Sequence, residues 1–538
     1  MYRGNDLWPS EMTSDLIKTT LSNGRTIETF PGLPKNMYQS FLKTSYRRPN
    51  KVALIDHEGN RYTYQDLRNK VRDFSGWLYR ERKIRRGEHV ALMLQNRMEF
   101  AIAALSLNRI GAVIVSLPSK YKEAEIRALV EKADLQAVIT EDKYQSYFSI
   151  DIEQGLRACV IPDDGDYGLR NYIADAEAEL AVAEEETDAA DLALMMFTSG
   201  TTSHSKGVTI RNYNIVHAME AYRRTLGITE DDRAILPVPI YLITGLVAIF
   251  GLMMHVGGMV VLNRTYKAKR VLEDIEKYQI TFFHASPTVF TLLLQERDNY
   301  PSVPSLRMFA CGSSNMAPGK IRALKEWIPN SEFRTIYGLT ETTSPGTVFP
   351  MDANDSDYIG SSGIPIPGME VKVIDDDGEE VPDGTEGTVC VKGTNITEEY
   401  YKLDNGMIRD GWLDTGDIGY VNADGFLYIV DRKKDMINRG GEKVCSFDIE
   451  NELSHFEEVA DAAVVGVPHE LYGEVPVAVV KLKDGAACSG DELKERLRTR
   501  MAKYKVPEEI RIVDEIPITA NMKTNKRQIR QMFAKEDL

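Results

Sequence analysis

The sequence predicts an α/β protein with a large N-terminal domain of layered α/β subdomains, a β-rich subdomain and a small mobile C-terminal α+β lid domain. Its 538 residues exceed what one hydrophobic core usually holds. Strand and helix patterns alternate through the first three-quarters, as in layered α/β folds. Turn signals become frequent near residue 360, and a charged run at 431–435 precedes a new α/β pattern. We therefore expect an N-terminal domain over 1–433, β-rich at about 360–430, and a lid over 434–538.

The elements follow one another in the order expected of β-α units. Apolar runs predict strands at 88–94, 111–117 and 136–140, and amphipathic patterns predict helices at 99–107 and 122–133. Further strands are predicted at 192–197, 234–237, 280–284 and 306–311. In the lid, the same patterns predict helices at 447–454 and 489–501 and strands at 462–467 and 475–481.

Residues 242–262 carry no charge and are numerous enough to span a bilayer. The segment contains His255 and the adjacent Gly257 and Gly258, which would break a spanning helix near its end. We interpret it as a buried helix, a Gly-Gly turn and a buried strand at 259–262. We therefore expect no transmembrane segment here.

Composition excludes several classes of function. A net charge of −16, without a run rich in Lys and Arg, argues against nucleic acid as the main partner. The five cysteines are scattered and form no C-x-x-C pair, so they fit a reducing compartment and offer no metal site. The first residues show no apolar stretch of a secretory signal. These features predict a cytoplasmic protein.

The loop at 198–207 (TSGTTSHSKG) is the most informative segment, and it follows an apolar run that reads as a buried strand. Glycine lets backbone N–H groups approach an anion, hydroxyls add donors, and Lys206 supplies a point charge for phosphate. The pattern G-x-x-x-x-G-K-[ST] is absent because Gly207 follows Lys206. On these residues alone, a polyphosphate-binding loop and a flexible surface loop are equally open.

Three other segments carry candidate chemistry. In the motif YGLTE at 337–341, an aromatic ring and glycine suit a flat base and Glu341 suits Mg²⁺, whereas the plain alternative is a turn capped by Thr340. Asp417 follows a predicted glycine turn and could grip ribose hydroxyls with Arg432, or form a surface ion pair. Lys523 taken alone would be a solvated surface charge.

Together and in this order, these segments resemble the adenylate-forming superfamily of acyl-CoA synthetases, luciferases and peptide-synthetase adenylation domains. The resemblance extends from about Tyr38 to Arg530, and weaker blocks at 62–67, 87–100, 107–117, 386–393 and 503–507 agree with it. It implies an ATP-dependent acid–CoA ligase that forms an acyl-adenylate and releases pyrophosphate, then transfers the acyl group to a thiol and releases AMP. The implied cofactors are ATP, Mg²⁺ and CoA, or the phosphopantetheine of a carrier protein.

The resemblance also implies roles for single residues. Lys523 would drive adenylation, Thr340 and Glu341 would meet the α-phosphate and Mg²⁺, and Lys434 would be the hinge; the implied metal positions are Thr198 and Glu341. The implied nucleotide and CoA contacts are Thr198, Ser199, Gly200, Thr201, Thr202, Ser203, Lys206, Gly312, Ser313, Ser314, Thr335, Tyr337, Gly338, Asp417, Arg432, Gly440 and Gly441. The implied acyl pocket is lined by Tyr241, Leu242, Ile243, Thr244, Gly245, Gly312 and Thr342.

The chain departs from the family pattern at several positions. Ser203 and Ser205 replace a glycine and a proline of the phosphate loop, and Met522 replaces the glycine before the C-terminal lysine. Leu242 stands where many members have a histidine or other aromatic gate. The segment 401–411 is a few residues short.

The acyl pocket predicts an apolar acid, fatty or aryl, because it offers no cation for a second carboxylate. Ile243 argues against a 2-hydroxybenzoate type, which carries an asparagine there. Two other functions stay open: a stand-alone adenylation enzyme that loads a carrier protein, and a non-catalytic nucleotide-binding homologue. A kinase fits poorly because it gives Lys523 no role. A second copy of the chain is also left open as a partner.

Overall fold

The computed structural model describes residues 1–162, 187–198, 205–314, 316–519 and 523–534. Two lobes are built on separate hydrophobic cores. The described core residues from Ile437 onward pack in clusters of their own, while a much larger cluster extends from Trp8 to Leu427. The predicted α/β fold class, with a large N-terminal part and a small C-terminal part, is confirmed.

A six-stranded sheet begins the large lobe. Its central strands are apolar and buried on both faces, as the continuous runs of the sequence predicted. All neighbours are parallel except the last two strands along the chain. The strands, from edge to edge, are Gly207–Arg211, Leu192–Phe197, Val113–Ser116, His89–Met93, Ala137–Glu141 and Arg157–Ile161.

A nine-stranded sheet forms the second layer. Its six central strands are parallel, and antiparallel strands close both edges. The strands, from edge to edge, are Ile364–Pro365, Thr347–Val348, Glu332–Tyr337, Met308–Cys311, Phe282–Ala285, Arg233–Leu236, Met259–Leu262, Val52–Ile55 and Arg61–Thr63.

Helices cover these sheets and fill the space between them. The helix Met98–Ile110 is buried on almost every side, which explains why its sequence is apolar all round. The described α-helices of the large lobe are Gly4–Leu7, Ser10–Thr13, Met37–Arg47, Tyr64–Arg80, Met98–Ile110, Glu123–Ala133, Ser149–Glu153, Asn212–Thr225, Leu252–Val256, Ala268–Tyr278, Pro287–Leu294 and Pro318–Trp327. Short 3₁₀ segments occur at Asp142–Phe148 and Ala353–Asp355.

The uncharged segment 242–262 is a buried helix, a glycine turn and a strand, as predicted. A π-helical part, Thr244–Gly251, continues into the helix Leu252–Val256. Gly257 ends it with φ +96°, and the buried strand Met259–Leu262 follows. In the described ranges, every helix falls short of the length and apolarity needed to cross a membrane.

An antiparallel sheet forms the β-rich part of the large lobe. Burial alternates along Met369–Ile374, as expected for a sheet with one face on the core. The N-terminal strand Tyr2–Arg3 pairs with it, which the sequence did not indicate. The other strands are Gly387–Gly393, Ile408–Arg409, Trp412–Val421 and Leu427–Arg432. A separate hairpin joins Ile17–Thr20 to Thr26–Thr29.

In its described residues, the small lobe contains a five-stranded sheet and three α-helices. Its long hairpin, Val459–His469 with Gly473–Leu482, contains both strands predicted for this part. The remaining strands are Ile437–Arg439, Glu442–Val444 and Ile510–Ile512. The helices are Ser446–Ser454, Gly490–Arg498 and Lys526–Met532, with a 3₁₀ turn at Lys503–Lys505.

Candidate active site between the lobes

The candidate site lies where parallel strands of the nine-stranded sheet end. The strands Phe282–Ala285, Met308–Cys311 and Glu332–Tyr337 are neighbours in register, so their carboxyl ends form one edge. In open α/β sheets, ligands bind outside this edge. Gly312 follows the second strand there, and Ser313 and Ser314 after it are exposed. Two of the implied nucleotide contacts therefore open onto this edge, next to the buried Gly312.

A buried carboxylate joins the β-rich part to this edge. Asp417 Oδ2 accepts a 2.7 Å hydrogen bond from the Tyr337 hydroxyl, and its Oδ1 lies 3.3 Å from Arg432 Nε. Burial raises the pKa of Asp417, while Arg432 and the Tyr337 hydroxyl act in the opposite direction. Burial and the Asp417 charge likewise raise the pKa of Tyr337. The structure thus brings three predicted nucleotide contacts together.

The predicted glycine turn before Asp417 is wrong in its local structure. Residues Trp412–Val421 form one strand, which contains a β-bulge at Gly416 (φ +71°). From Asp414 to Ile418 the strand advances four residues, while the paired strand advances only two. The bulge redirects the strand locally, which is how bulges aim side chains near functional sites. Asp417 consequently points from a strand, beside its cross-strand partner Arg432.

The segment after Tyr337 is a tight loop that depends on Gly338. A Cβ on Gly338 would lie 1.5 Å from the backbone oxygen of Ser344. The Thr342 hydroxyl accepts from the Leu339 N–H at 2.9 Å, and Thr343 and Ser344 have positive φ. Thr342 is fully buried, so its side chain serves this loop whatever else it contacts. Such closely packed, positive-φ backbone is typical of functional sites.

Glu341 lies within this loop, near Lys206, the cation that the sequence assigned to the phosphate loop. Burial raises the pKa of Glu341, whereas Arg432 and Lys206 lower it. Lys206 Nζ lies 5.1 Å from the centroid of the Tyr400 ring. The Tyr400 hydroxyl donates to Glu341 Oε1 at 3.1 Å. Glu341 and Lys206 therefore share one environment, as expected of groups that would meet the same phosphates.

Sequence reasoning missed Tyr400 and the segment that carries it. The Thr397 N–H donates to the Glu341 carbonyl at 2.8 Å, and Asn395 Nδ2 donates to the Thr342 carbonyl at 2.7 Å. The Tyr401 N–H donates to the Gly207 carbonyl at 2.7 Å. The segment ties the Glu341 loop to the strand after the phosphate loop. The motif TNIT at 394–397, polar residues directly after a strand, was the signal available.

The described ends of the phosphate loop form a hairpin. The Thr198 N–H donates to the Lys206 carbonyl at 3.0 Å, and the flanking strands are antiparallel. The five implied contacts between them lie outside the described residues: Ser199, Gly200, Thr201, Thr202 and Ser203. Thr198 and Lys206 hold the two ends of the loop together, which places Lys206 near Glu341.

Lys523 enters the crevice from the small lobe. Part of the Lys523 surface is accessible to water. The protein around it nevertheless removes much of the water that would solvate its ammonium group, and this desolvation lowers the pKa of Lys523 to about 8. Arg432 and Lys434 lower the pKa further, while Asp417 and Glu341 raise it. Lys523 is thus within electrostatic range of both carboxylates of the large lobe. Met522 lies outside the described residues.

An ion pair joins the two lobes across the crevice. Lys320 Nζ, on the helix Pro318–Trp327, lies 2.7 Å from Asp461 Oδ1 on the small-lobe hairpin.

Lys434, the implied hinge, is exposed just after the last strand of the large lobe. Gly440 (φ +63°) and Gly441 (φ +95°) form the exposed turn between Ile437–Arg439 and Glu442–Val444. The Gly440 N–H donates to the Tyr472 carbonyl at 2.7 Å.

The implied acyl-pocket segment starts the π-helix. Tyr241 and Ile243 are buried, and Leu242 and Thr244 are partly buried. The Ser116 hydroxyl donates to the Tyr241 carbonyl at 2.8 Å, which ties this segment to the six-stranded sheet. A Cβ on Gly245 would lie 2.4 Å from the Pro239 carbonyl oxygen, so this glycine is required by close packing. Thr335 is buried on the neighbouring strand Glu332–Tyr337.

The comparisons with known proteins agree with this geometry. The family described as "AMP-binding enzyme" matches residues 41–401, and "AMP-binding enzyme C-terminal domain" matches residues 448–523. The chain belongs to this family of adenylate-forming enzymes.

The chain also resembles individual members along almost its whole length. It is 30% identical, over 91% of its length and 98% of the relative's, to the "3-[(3aS,4S,7aS)-7a-methyl-1,5-dioxo-octahydro-1H-inden-4-yl]propanoyl:CoA ligase" of Rhodococcus jostii. ATP-bound MatB from Rhodopseudomonas palustris superimposes with a TM-score of 0.82 at 26% identity, covering 93% of this chain and 99% of MatB. The o-succinylbenzoate coenzyme A synthetase of Bacillus subtilis, in complex with ATP and magnesium ion, gives 0.77 at 26%, covering 91% and 99%. The chain is accordingly an AMP-forming acid–thiol ligase that uses ATP, Mg²⁺ and CoA.

The residues present fit a magnesium ion held mainly by phosphate. In the described part of the chain, no group of three or more His, Cys, Asp or Glu could enclose a metal ion. Glu341 is a single carboxylate whose burial disfavours its charge unless a cation is near. Mg²⁺ is commonly bound by one or two carboxylates together with substrate phosphates. Glu341 suits that mode of binding.

The substitution Gly338→Ala is expected to lower the free energy of unfolding by about 1–3 kcal/mol, because the new methyl group collides with the Ser344 carbonyl. It should also weaken ATP binding, since the displaced loop carries Tyr337 and Glu341. Chemical denaturation and calorimetric titration with ATP measure the two effects. Gly319→Ala is the matched control, as nothing lies within 4 Å of its Cβ. Equal effects of the two substitutions contradict the packing argument.

Proposed function

We propose that the crevice between the lobes is the active site in which this chain joins a monocarboxylic acid to CoA. The observation that carries the proposal is the position of Lys523, which faces Asp417 and Glu341 from the opposite lobe. A cation supplied by a separate lobe can be present for one chemical step and absent for the next. That property suits an enzyme whose two half-reactions place different demands on one site.

In the first half-reaction, the acid's carboxylate attacks the α-phosphorus of ATP, and pyrophosphate leaves. Two anions must approach each other, so fixed positive charge and hydrogen-bond donors lower the barrier. Lys523 would bridge the carboxylate and the α-phosphate, with Thr340 donating to the same phosphate. Asp417 and Arg432 would hold the ribose, and Tyr337 with residues 312–314 would hold the adenine. Mg²⁺, when bound beside Glu341, shields the charge of the departing pyrophosphate.

In the second half-reaction, the thiol of CoA attacks the acyl-adenylate and AMP leaves. We propose that the small lobe first turns about Lys434, which withdraws Lys523 and brings the Gly440–Gly441 turn to the crevice. Three features support this motion. The small lobe has its own core, Lys434 is exposed, and the two glycines hold backbone conformations that other residues rarely adopt.

We propose an acid with a mainly apolar tail. The segment Tyr241 to Gly245 supplies the apolar side chains of Leu242 and Ile243, two hydroxyl-bearing side chains and no cation. The relative from Rhodococcus jostii acts on a bulky bicyclic propanoyl acid, which is consistent with a roomy apolar pocket. The five cysteines are free thiols, which supports a cytoplasmic location.

A screen of acids for AMP formation tests the proposal. Wild-type protein should form AMP from ATP with fatty or aryl acids in the presence of CoA, and should catalyse acid-dependent ATP–pyrophosphate exchange without it. Replacing CoA by a phosphopantetheinylated carrier protein in parallel identifies the acceptor. Absence of exchange across the whole panel contradicts the enzymatic proposal and leaves a nucleotide-binding homologue.

The substitution Lys523→Ala should slow adenylation by about 10²–10³, because it removes the cation between the two anions. Thiol transfer from preformed acyl-adenylate should be largely spared, since Lys523 is withdrawn in that step. Rapid-quench measurement of each half-reaction separates the effects. Lys483→Ala removes an exposed lysine of the same lobe and serves as the control. Similar damage to both half-reactions contradicts the assigned division of labour.

The adenylation rate should depend on pH through Lys523. Because its pKa is lowered to about 8, its charge is present below pH 8 and is lost above it. We therefore expect kcat/KM for pyrophosphate exchange to fall as pH rises through about 8. Lys523→Arg keeps its charge at every accessible pH, so the residual activity of this variant should lack the alkaline fall. A fall that persists in the arginine variant assigns it to another group.

A further inference from the structure

His284 is a buried, uncharged polar group at the active-site edge that the mechanism above does not use. It belongs to the strand Phe282–Ala285, one residue before its carboxyl end. Its neighbour in register is Ala310, two residues before Gly312. His284 therefore lies beneath the end of the sheet where the acyl and nucleotide contacts converge.

The imidazole of His284 makes no hydrogen bond to any residue that the structure describes. The residue is 2% exposed, and Nδ1 has no hydrogen-bond partner within the described ranges. Its neighbours are aromatic rings: Tyr222 and Phe282 pack edge-on against it, with centroids 6.0 and 6.2 Å away. Burial lowers the pKa of His284 to about 3, so the ring is neutral at physiological pH. A buried polar group without a partner is costly and calls for an explanation.

The burial of Nδ1 indicates which nitrogen of the neutral His284 ring carries the proton. A neutral imidazole has one N–H donor and one lone pair. On the protein backbone, an unpaired buried N–H is rarer than an unpaired acceptor. By the same reasoning we assign the lone pair to Nδ1 and the proton to Nε2. A Cβ on Gly312 would lie 3.5 Å from Nε2. The Nε2 atom of His284 therefore borders the space that Gly312 leaves open by having no side chain.

The Tyr222 hydroxyl, on the ring that packs edge-on against His284, already has a partner. The Tyr222 hydroxyl and the Ser344 hydroxyl are 2.8 Å apart and hydrogen-bond to each other. The carbonyl oxygen of Ile336 lies 3.1 Å from the same Cβ position on Gly312, and no hydrogen bond joins it to His284 in the described part of the chain. The Nε2–H of His284 is thus positioned for a ligand atom that accepts a hydrogen bond.

We propose that His284 determines acyl specificity: its Nε2–H donates a hydrogen bond to an uncharged oxygen on the tail of the acid. This proposal rests on the ligase function proposed above. The substrate class is a monocarboxylic acid whose apolar skeleton bears one ketone, hydroxyl or ether oxygen. A second carboxylate is disfavoured, because a neutral imidazole among aromatic rings offers no charge to pair with it.

Matched pairs of acids test the proposal. The pairs are octanoate against its mono-oxo derivatives, with the ketone at each position in turn, and para-ethylcinnamate against para-methoxycinnamate. For wild-type protein, kcat/KM for AMP formation should favour one oxygen-bearing acid over its partner about five- to tenfold, the value of one neutral hydrogen bond. His284→Leu should reduce that ratio to about one. His284→Gln, which keeps an N–H donor at a similar reach, should retain part of it.

A second variant approaches the same contact from the other side. Gly312→Ala places a methyl group between Nε2 and the ligand, so it should abolish the oxygen preference while leaving His284 in place. His284→Leu should melt at or above the wild-type temperature, since it removes an unpaired buried nitrogen. An oxygen preference that survives both variants, or a wild-type preference for the unsubstituted acids, overturns the proposal. If none of the acids supports AMP formation, the ligase function is refuted instead.

Discussion

The active site depends on one buried carboxylate, Asp417, held between Tyr337 and Arg432. This contact joins the antiparallel sheet to the carboxyl edge of the nine-stranded sheet, so it fixes the wall of the crevice. Burying the carboxylate costs free energy, and the cation and hydroxyl beside it offset that cost. Removing one partner of such a buried pair typically costs about 3–5 kcal/mol. The geometry that would receive the nucleotide is therefore also part of what holds the large lobe together.

The electrostatics of the site are arranged across two lobes. Lys523 lies between cations that lower its pKa and carboxylates that raise it. Within the crevice, the small lobe contributes the Lys523 ammonium, and the large lobe contributes the carboxylates of Asp417 and Glu341. The attraction between these groups favours the posture described here, and a bound polyphosphate would give Lys523 a further anionic partner. Closure and nucleotide recognition thus depend on the same charged groups.

The sequence was sufficient to predict those elements whose structure depends on residues close together in the chain. The strand Leu192–Phe197 was predicted with its observed bounds because a buried parallel strand is a continuous apolar run. The glycine turn that ends the uncharged segment at Gly257 was equally readable. Tyr400, Asn395 and the strand Tyr2–Arg3 were not, because their roles arise from contacts between residues far apart in the chain. His284 gave no signal either, since only the folded surroundings reveal that its nitrogen is unpaired.

The ion pair between Lys320 and Asp461 has a consequence for the solution in which the enzyme works. Both side chains are partly exposed, 21% and 28%, so dissolved salt screens their attraction. An exposed pair of this kind is worth about 0–1 kcal/mol, enough to bias a lobe posture severalfold and too little to trap it. The proposed rotation must break this pair once in every turnover. Ionic strength is thereby coupled to the balance between the two half-reactions.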